Sequence, residues 1–321
     1  MGRPPVRRAP IRMLPLLAMV AAASVSGAVL AQPAGGPANA ELGTSQVVEV
    51  VRYATQGEYT VEQRFWIDTD RTPDAEAAAD RAMGVSAGEA TVAAQYKVGK
   101  RKWAASSLPL QLYYNPEGVG SNPSAANGIQ AAISQWNAVT SAAFSFTYAG
   151  TSARGTGACA DTIDADGFNT IQYSTALAFG VLGRTCTLFK TSSSPILEFD
   201  MELDAATPWS IADLTPRGSF DLASTILHEL GHAAGISHPC ENNVQDSKPC
   251  SQASPAELAS VMFPYLNGGE QRRTLTGDDR DALRAQYPGG PAPTPTAVPT
   301  PVVIPPYNRD FSAVVVSLAR D

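Results

Sequence analysis

All three histidines of the chain, His228, His232 and His238, lie within eleven residues. Two histidines four residues apart share one face of a helix, so their imidazoles can bind the same metal ion. Gly235 can end that helix and turn the chain back, which would bring His238 in as a third nitrogen ligand. Three protein ligands leave one tetrahedral position open for water, as in a catalytic rather than a structural zinc site. Glu229, between the first two histidines, is the candidate general base.

Two helices are predicted around this segment. The first begins near Asp221, a good N-cap, turns its apolar residues toward the core and ends at Gly235. The second begins at its N-cap Thr276, has acidic residues in its first turn and runs to Tyr287, and Pro288 stops it.

Strands alternate with helices before these two elements. Extended segments are predicted at 110–114, 144–148, 169–173 and 197–204, and a helix with one apolar face at 129–139. Segment 197–204 alternates apolar and acidic residues, which predicts a sheet strand with a solvated acidic face; binding of calcium or of a basic peptide is the alternative. Acidic residues at 161–167 are read as a turn, with calcium as the less favoured reading. The pattern predicts an α+β fold.

Residues 1–31 predict a secretory signal peptide with cleavage after Ala31. A positively charged start precedes an apolar run from Met13 to about Val25. That run is shorter than the roughly 20 residues needed to span a bilayer, so a membrane anchor is the less favoured reading. We therefore expect a secreted, extracellular protein.

The charge of the chain disfavours two classes of partner. Removing the signal peptide takes away four arginines and no acids, which moves the net charge from −7 to −11. An acidic protein gains nothing electrostatically from nucleic acid or an anionic membrane. No later stretch is apolar and long enough to be a transmembrane anchor.

The chain has four cysteines, Cys159, Cys186, Cys240 and Cys250, an even number in an exported protein. Disulfides are therefore the favoured interpretation, and thiolate metal ligands are disfavoured because no C-x-x-C pair occurs. Four cysteines allow three pairings, of which sequence order favours Cys159–Cys186 with Cys240–Cys250. The second pair would hold the segment just after His238.

The histidine segment extends to the full pattern H-E-x-x-H-x-x-G-x-x-H, and here the chain resembles the metzincin metalloproteases. Within that clan it looks most like a bacterial matrixin-type enzyme, over roughly Trp103 to Pro288. The family has a methionine-containing turn beneath its zinc ligands, and Met262 in segment 260–265 is the candidate. Without the motif, Met262 would more often be an ordinary core residue.

This resemblance implies a metzincin-like zincin fold, a twisted mixed sheet with a central zinc-binding helix and a C-terminal helix. It also implies one catalytic Zn²⁺ held by the three histidines, and hydrolysis of peptide bonds by a zinc-activated water with Glu229 as the base. The function expected is that of a secreted zinc endopeptidase, a monomer whose partner is a protein or peptide substrate. The alternative is a catalytically inactive zinc-binding surface or adhesion module of the same fold.

Two properties of the family are missing. No cysteine precedes Cys159, so the matrixin cysteine switch is absent, and latency would need another ligand or steric cover. No histidine lies outside the motif, so a second, histidine-bound zinc has no imidazole ligands. Calcium is a weakly supported second cofactor.

The predicted organisation has five parts. Residues 1–31 are the signal peptide, 32–100 an N-terminal leader and possible propeptide, and 101–288 the metalloprotease catalytic domain. A Pro/Thr-rich linker at 289–306 leads to a short tail or truncated further domain at 307–321. The basic run from Lys97 to Lys102 is either a processing site or a solvated loop.

Overall fold

The structure, a computed structural model, describes residues 46–83, 101–160, 163–193, 195–242 and 247–289. Its strands are β1 (Gln46–Gln56), β2 (Tyr59–Asp68), β3 (Lys102–Trp103), β4 (Leu110–Asn115), β5 (Phe146–Thr151), β6 (Asn169–Ser174), β7 (Val181–Lys190), β8 (Pro195–Asp204), β9 (Trp209–Ser210), β10 (Phe220–Asp221) and β11 (Tyr265–Asn267). Its α-helices are α1 (Ala75–Ala82), α2 (Ala126–Asn137), α3 (Leu222–Ala233), α4 (Pro255–Leu258) and α5 (Gly277–Gln286).

Within the described residues, nine strands form one sheet in the order β11-β1-β2-β7-β8-β6-β4-β5, with β3 pairing to β8. Strands β4, β5, β6 and β8 are linked by parallel pairings, whereas β7 is antiparallel to both of its neighbours. Strands β9 and β10 form a separate parallel pair. The predicted α+β class with a mixed sheet is confirmed.

The N-terminal strands β1 and β2 form a hairpin that belongs to this sheet. Their antiparallel pairing begins with Val47 opposite Asp68 and ends with Gln56 opposite Tyr59. β2 also pairs along β7, and the start of β1 pairs with β11. The sequence suggests a small region apart from the main domain, but the hairpin lies between two strands of that domain.

The two long helices α2 and α3 pack against each other in the main core. The predicted apolar face of α2 is buried, and Trp136 donates its indole N–H to the Leu227 carbonyl at 2.9 Å. Burial of each large apolar side chain stabilises the fold by about 1.5–3 kcal/mol. Helix α2 therefore supports α3, the helix that carries His228 and His232.

The acidic face predicted on β8 exists, but the prediction that it is solvated is wrong. All four acids are buried, at Glu198, Asp200, Glu202 and Asp204. β8 is an inner strand between β7 and β6, and the segment before β6 covers its acidic face. The carboxylate of Asp200, for example, accepts hydrogen bonds from Ala158 N at 2.9 Å and Thr170 N at 2.8 Å.

Both disulfides favoured by sequence order are present. Cys159–Cys186 ties the segment over the β8 acids to β7, and Cys240–Cys250 closes a short loop after His238. The first disulfide thus fixes the segment that covers the β8 acids, and the second fixes the segment that follows His238.

The predicted signal peptide, the leader up to residue 45, nearly all of the linker and the tail lie outside the described residues, as does Lys97 to Lys100 of the basic run. In the part of the chain that is described, no helix is long and apolar enough to cross a membrane.

Candidate metal centre

Helix α3 presents the histidine segment. The side chain of Asp221 caps its N-terminus by accepting from Ser224 N at 2.8 Å, as predicted, and the helix ends at Ala233, close to the predicted stop. Gly235 follows with a φ of 79°, a conformation that favours glycine. A Cβ there would lie 2.2 Å from the carbonyl oxygen of Arg101. Glycine at this position therefore allows the turn that brings His238 back.

The three imidazoles meet through their Nε2 atoms. His232 Nε2 lies 3.1 Å from both His228 Nε2 and His238 Nε2, and the remaining pair is 3.2 Å apart. The side chains of His232 and His238 are buried and that of His228 is 15% exposed. The structure thus gathers all three residues that the sequence predicted as metal ligands.

The other ring nitrogens determine which tautomers are present. His228 Nδ1 lies 2.6 Å from the Val261 carbonyl, and His232 Nδ1 lies 2.8 Å from the Ile236 carbonyl. A carbonyl oxygen can only accept, so each Nδ1 donates its proton, and a neutral ring then carries on Nε2 the lone pair that a metal ion can use. His238 Nδ1 donates in the same way to Glu241 Oε1, at 3.2 Å.

Such a group of nitrogens fits a zinc ion. Lone pairs that face one another cannot form hydrogen bonds, so their convergence in a buried site calls for a cation between them. Three nitrogens at the usual Zn–N distance of about 2.0–2.1 Å in a tetrahedron lie about 3.3 Å apart, close to the spacing found. The outward hydrogen bond of each ring is the arrangement that orients metal-bound histidines.

A fourth group, Glu49 of β1, also reaches this point. Its Oε2 lies 3.1, 3.3 and 3.4 Å from the Nε2 atoms of His238, His232 and His228. Among the described residues, these four form the group of side chains that could hold a metal ion. The sequence analysis missed Glu49, because nothing local marks one acid on a strand 179 residues before His228 as a partner of the histidines.

Arg64 of β2 holds the other oxygen of Glu49. Its guanidinium contacts Glu49 Oε1 at 2.7 Å and Glu62 at 2.6 Å, and lies 3.7 Å from Glu241. Burial disfavours the charge of Glu49, but His238, His232 and Arg64 outweigh it and hold the pKa of this carboxyl well below its usual range. Glu49 therefore faces the histidines as a carboxylate.

Glu229 lies beside the same group. Its Oε1 is 3.6 Å from His228 Nε2, and its Oε2 accepts a hydrogen bond of 2.6 Å from the hydroxyl of Thr185 on β7. The residue is buried, and burial together with the nearby charge of Glu49 raises its pKa well above the usual value. Thr185 had no sequence signal, since its role depends on the pairing of distant strands.

Met262 packs against helix α3 at Gly231, the residue before His232. It is buried, and a Cβ on Gly231 would lie 2.2 Å from its sulfur, so glycine at 231 permits this close packing. The Asp279 carboxylate of α5 accepts from the backbone N–H groups of Met262 and Val261, each at 3.0 Å. The sequence marked Asp279 only as an acid in a first helical turn, yet it also clamps the turn that contacts His228.

A pocket of about 520 Å³, a volume that includes space open to solvent, adjoins His228. Its walls include His228 and Glu229, the segment from Val261 to Leu266, and Val47 and Trp66 of the hairpin. Its lining is mostly apolar, which suits a hydrophobic side chain more than a charged one.

Calcium finds no comparable support. Asp161 and Thr162 lie outside the described residues, and Asp166 is paired with Arg154 at 3.4 Å. The acids of this segment do not join a group of potential ligands like that around Glu49 within the described chain.

Comparisons with known proteins bear on the family of the chain. The chain is similar to matrix metalloproteinases, which confirms the resemblance to matrixin-type metzincins seen in the sequence. It is 29% identical over 117 residues to Metalloendoproteinase 2-MMP and 28% over 116 residues to Metalloendoproteinase 5-MMP, both of Arabidopsis thaliana. These matches cover 35% and 34% of this chain and 25% and 27% of the plant proteins.

A shorter match links the chain to a viral protein. It is 44% identical over 39 residues to the Probable matrix metalloproteinase 095L of Invertebrate iridescent virus 3, which is 12% of this chain and 11% of that protein. The chain therefore spans about a quarter of the length of the plant relatives and less of the viral one. No protein-family model matches it.

Proposed function

We propose that the chain is a secreted zinc-dependent endopeptidase. His228, His232 and His238 would hold one zinc ion, and Glu229 would act as the general base. The observation that supports this most directly is the convergence of three Nε2 atoms beside a buried carboxyl. The similarity to proteins named metalloendoproteinases supports it independently.

A zinc ion in this site would lower the pKa of a water molecule to about 7 and polarise a peptide carbonyl. Glu229 would accept the proton of the attacking water and pass it to the leaving amine. The hydroxyl of Thr185 and the packing around α3 would keep that carboxyl in place. The outward hydrogen bonds of the three histidines would keep their rings oriented, and Met262 would support them from below.

The two disulfides support the proposal that the protein is exported. Two bonds in a chain without free cysteines are typical of proteins that work in an oxidising compartment. The substrate would be a protein or peptide, and the mostly apolar cavity beside Glu229 suits a hydrophobic side chain of it.

One observation favours a second candidate function. Glu49 lies where a fourth ligand would bind, and four protein ligands are typical of structural zinc sites. On this reading the chain is a zinc-binding surface or adhesion module without turnover.

The two candidates separate when hydrolysis of an unfolded protein is measured with the parent and with Glu49→Gln, which weakens the fourth contact. In the protein that cleaves, whether the parent or Glu49→Gln, we expect the added change Glu229→Ala to reduce the rate of hydrolysis by about 10²–10⁴-fold. Zinc content should stay unchanged, because Glu229 is not among the proposed ligands.

Glu117→Ala is the matched control, since this glutamate is exposed on a loop far along the chain from the histidine segment. It should leave the rate unchanged. If neither background, with zinc bound, cleaves the unfolded protein or a blocked dipeptide, which is too short to need a free sheet edge, the zinc-binding module is correct and the peptidase proposal is wrong. A Glu229→Ala protein that cleaves at the parental rate would exclude Glu229 as the base.

A further inference from the structure

We propose that the hairpin of β1 and β2 is an intramolecular inhibitor of the metal centre. Glu49 holds the position that an attacking water needs, and the two strands occupy the sheet edges at which an extended peptide would bind. This inference rests on the proposed peptidase function and adds its regulation.

The first step of the argument is the position of Glu49. Its Oε2 lies 3.1–3.4 Å from all three Nε2 atoms, and its side chain is 2% exposed. A catalytic zinc site keeps one position for water, whereas a carboxylate at this point completes a set of four protein ligands. With Glu49 in place, the site has no open position beside Glu229.

The second step concerns the backbone. β2 pairs with β7 along its length, from Tyr59 opposite Lys190 to Ile67 opposite Val181. β1 pairs with β11 over three residues, Gln46–Val48. Extended peptides commonly bind proteins by adding a strand to a free sheet edge. The hairpin uses the free edge of β7 and that of β11, the two strands that flank the histidines.

The third step concerns side chains. Val47 and Trp66 of the hairpin line the same cavity as His228 and Glu229. Trp66 packs so closely on β7 that a Cβ at Gly183 would lie 2.5 Å from its ring. Both hairpin residues therefore stand in the space that a substrate side chain would enter.

The hairpin is nevertheless separable from the catalytic parts. The histidines, Glu229 and Met262 all follow β3 in the chain, and antiparallel strands joined by a tight turn form a local unit. Its departure would leave the pairing of β7 with β8 intact. Arg64 fastens Glu49 from within the same hairpin, so that the contact and its support would leave together.

Access of a small metal-binding probe tests this inference without any hydrolysis. The full chain is loaded with cobalt(II), whose visible spectrum reports its ligands, and acetohydroxamate is added. In the parent we expect little spectral change. In Glu49→Gln we expect hydroxamate to bind at least about tenfold more tightly and zinc affinity to fall at least about tenfold, as even the loss of an outer partner of a ligand costs that much.

Glu58→Gln is the matched control, because it alters the same hairpin at its exposed turn, where Glu58 contacts only Lys190 among charged groups. It should behave as the parent. Glu49→Gln keeps the side-chain shape, and Arg64 retains Glu62 and Glu241 as partners, so the fold should survive. Urea unfolding of each variant checks this.

A parent that binds hydroxamate as tightly as Glu49→Gln overturns the inference, and the parental spectrum alone gives that answer if the variant fails to fold. If Glu49→Gln admits hydroxamate but neither protein cleaves a blocked dipeptide, which needs no free sheet edge, the peptidase proposal fails while the role of Glu49 stands. If both admit hydroxamate and both cleave, the hairpin is not an inhibitor.

Discussion

Two groups of buried carboxylates in this protein have opposite surroundings. The metal-centre carboxylates, Glu49, Glu62 and Glu241, all contact Arg64, and two of them also contact histidines. The β8 carboxylates, Glu198 and Asp200, accept hydrogen bonds from backbone N–H groups and have no ion pair with Lys or Arg in the described chain.

The pKa values follow that difference. Burial acts to raise the pKa values of Glu49 and Glu241, yet histidines and Arg64 bring both below their usual range. With Asp164 and Asp166 nearby, burial raises the pKa of Glu198 to about 8, and burial with Glu198 raises that of Asp200. A buried acid is thus kept charged only where the fold supplies a cation.

The largest expected effect comes from removing the shared cation. Arg64→Met leaves three buried carboxylates without it, and breaking a buried ion pair costs about 3–5 kcal/mol. We expect a loss of about 4 kcal/mol in the free energy of unfolding in urea, with zinc present.

Arg284→Met is the control, since its pair with Asp281 is exposed and such pairs contribute about 0–1 kcal/mol. Equal losses for the two variants would contradict the importance of the shared cation.

The second test concerns Glu198, a buried carboxyl without an ion pair to Lys or Arg among the described residues. Its folded pKa of about 8 lies above the ordinary 4.5, so its contribution to stability is fully present below pH 4.5 and is lost as pH rises through 8. Glu198→Gln removes this loss and keeps an oxygen to accept from Gly167 N. The variant should gain about 4 kcal/mol over the parent between pH 5 and pH 9, at 1.36 kcal/mol per pKa unit.

Urea titrations of both proteins across that pH range, without added calcium, measure the gain. Asp70→Asn on the exposed turn after β2 serves as the control and should show no such trend. A gap between Glu198→Gln and the parent that is constant with pH would mean that Glu198 does not titrate as described.

The smallest effect is expected at Glu241, which accepts from His238 Nδ1. Glu241→Gln keeps an oxygen acceptor but removes the charge, and loss of an outer partner of a metal ligand typically weakens metal binding by about 10–100-fold. We expect about tenfold weaker zinc binding, the lower end of that range, in competition with a chromophoric chelator.

Glu257→Gln, in the same loop region but paired with Lys248, should bind zinc as the parent does. Unchanged affinity in Glu241→Gln would show that the charge of Glu241 does not reach the metal centre.

The sequence predicted those parts of the fold and site that depend on local pattern. The N-cap Asp221, the turn at Gly235 and the three converging histidines follow from residue type and spacing within one short segment. The buried face of α2 and the alternation of β8 follow from periodicity.

What sequence could not supply depends on strand order. The burial of the β8 acids follows from the position of β8 inside the sheet, and periodicity does not encode which face is covered. Glu49 reaches the histidines only because β1 and β2 insert between β7 and β11. Such long-range pairing has no local signature, so a glutamate on a strand is indistinguishable from an ordinary solvated one.

The clamp made by Asp279 has a consequence for biosynthesis. His228 donates to the Val261 carbonyl, and Val261 is held by a carboxylate from the last helix of the described chain. A nascent chain that has emerged only to residue 270 lacks that carboxylate, even though all three histidines are already present. Chains grow from the N-terminus at about 5–20 residues per second, so the metal centre becomes complete only after the last helix of the described chain has emerged.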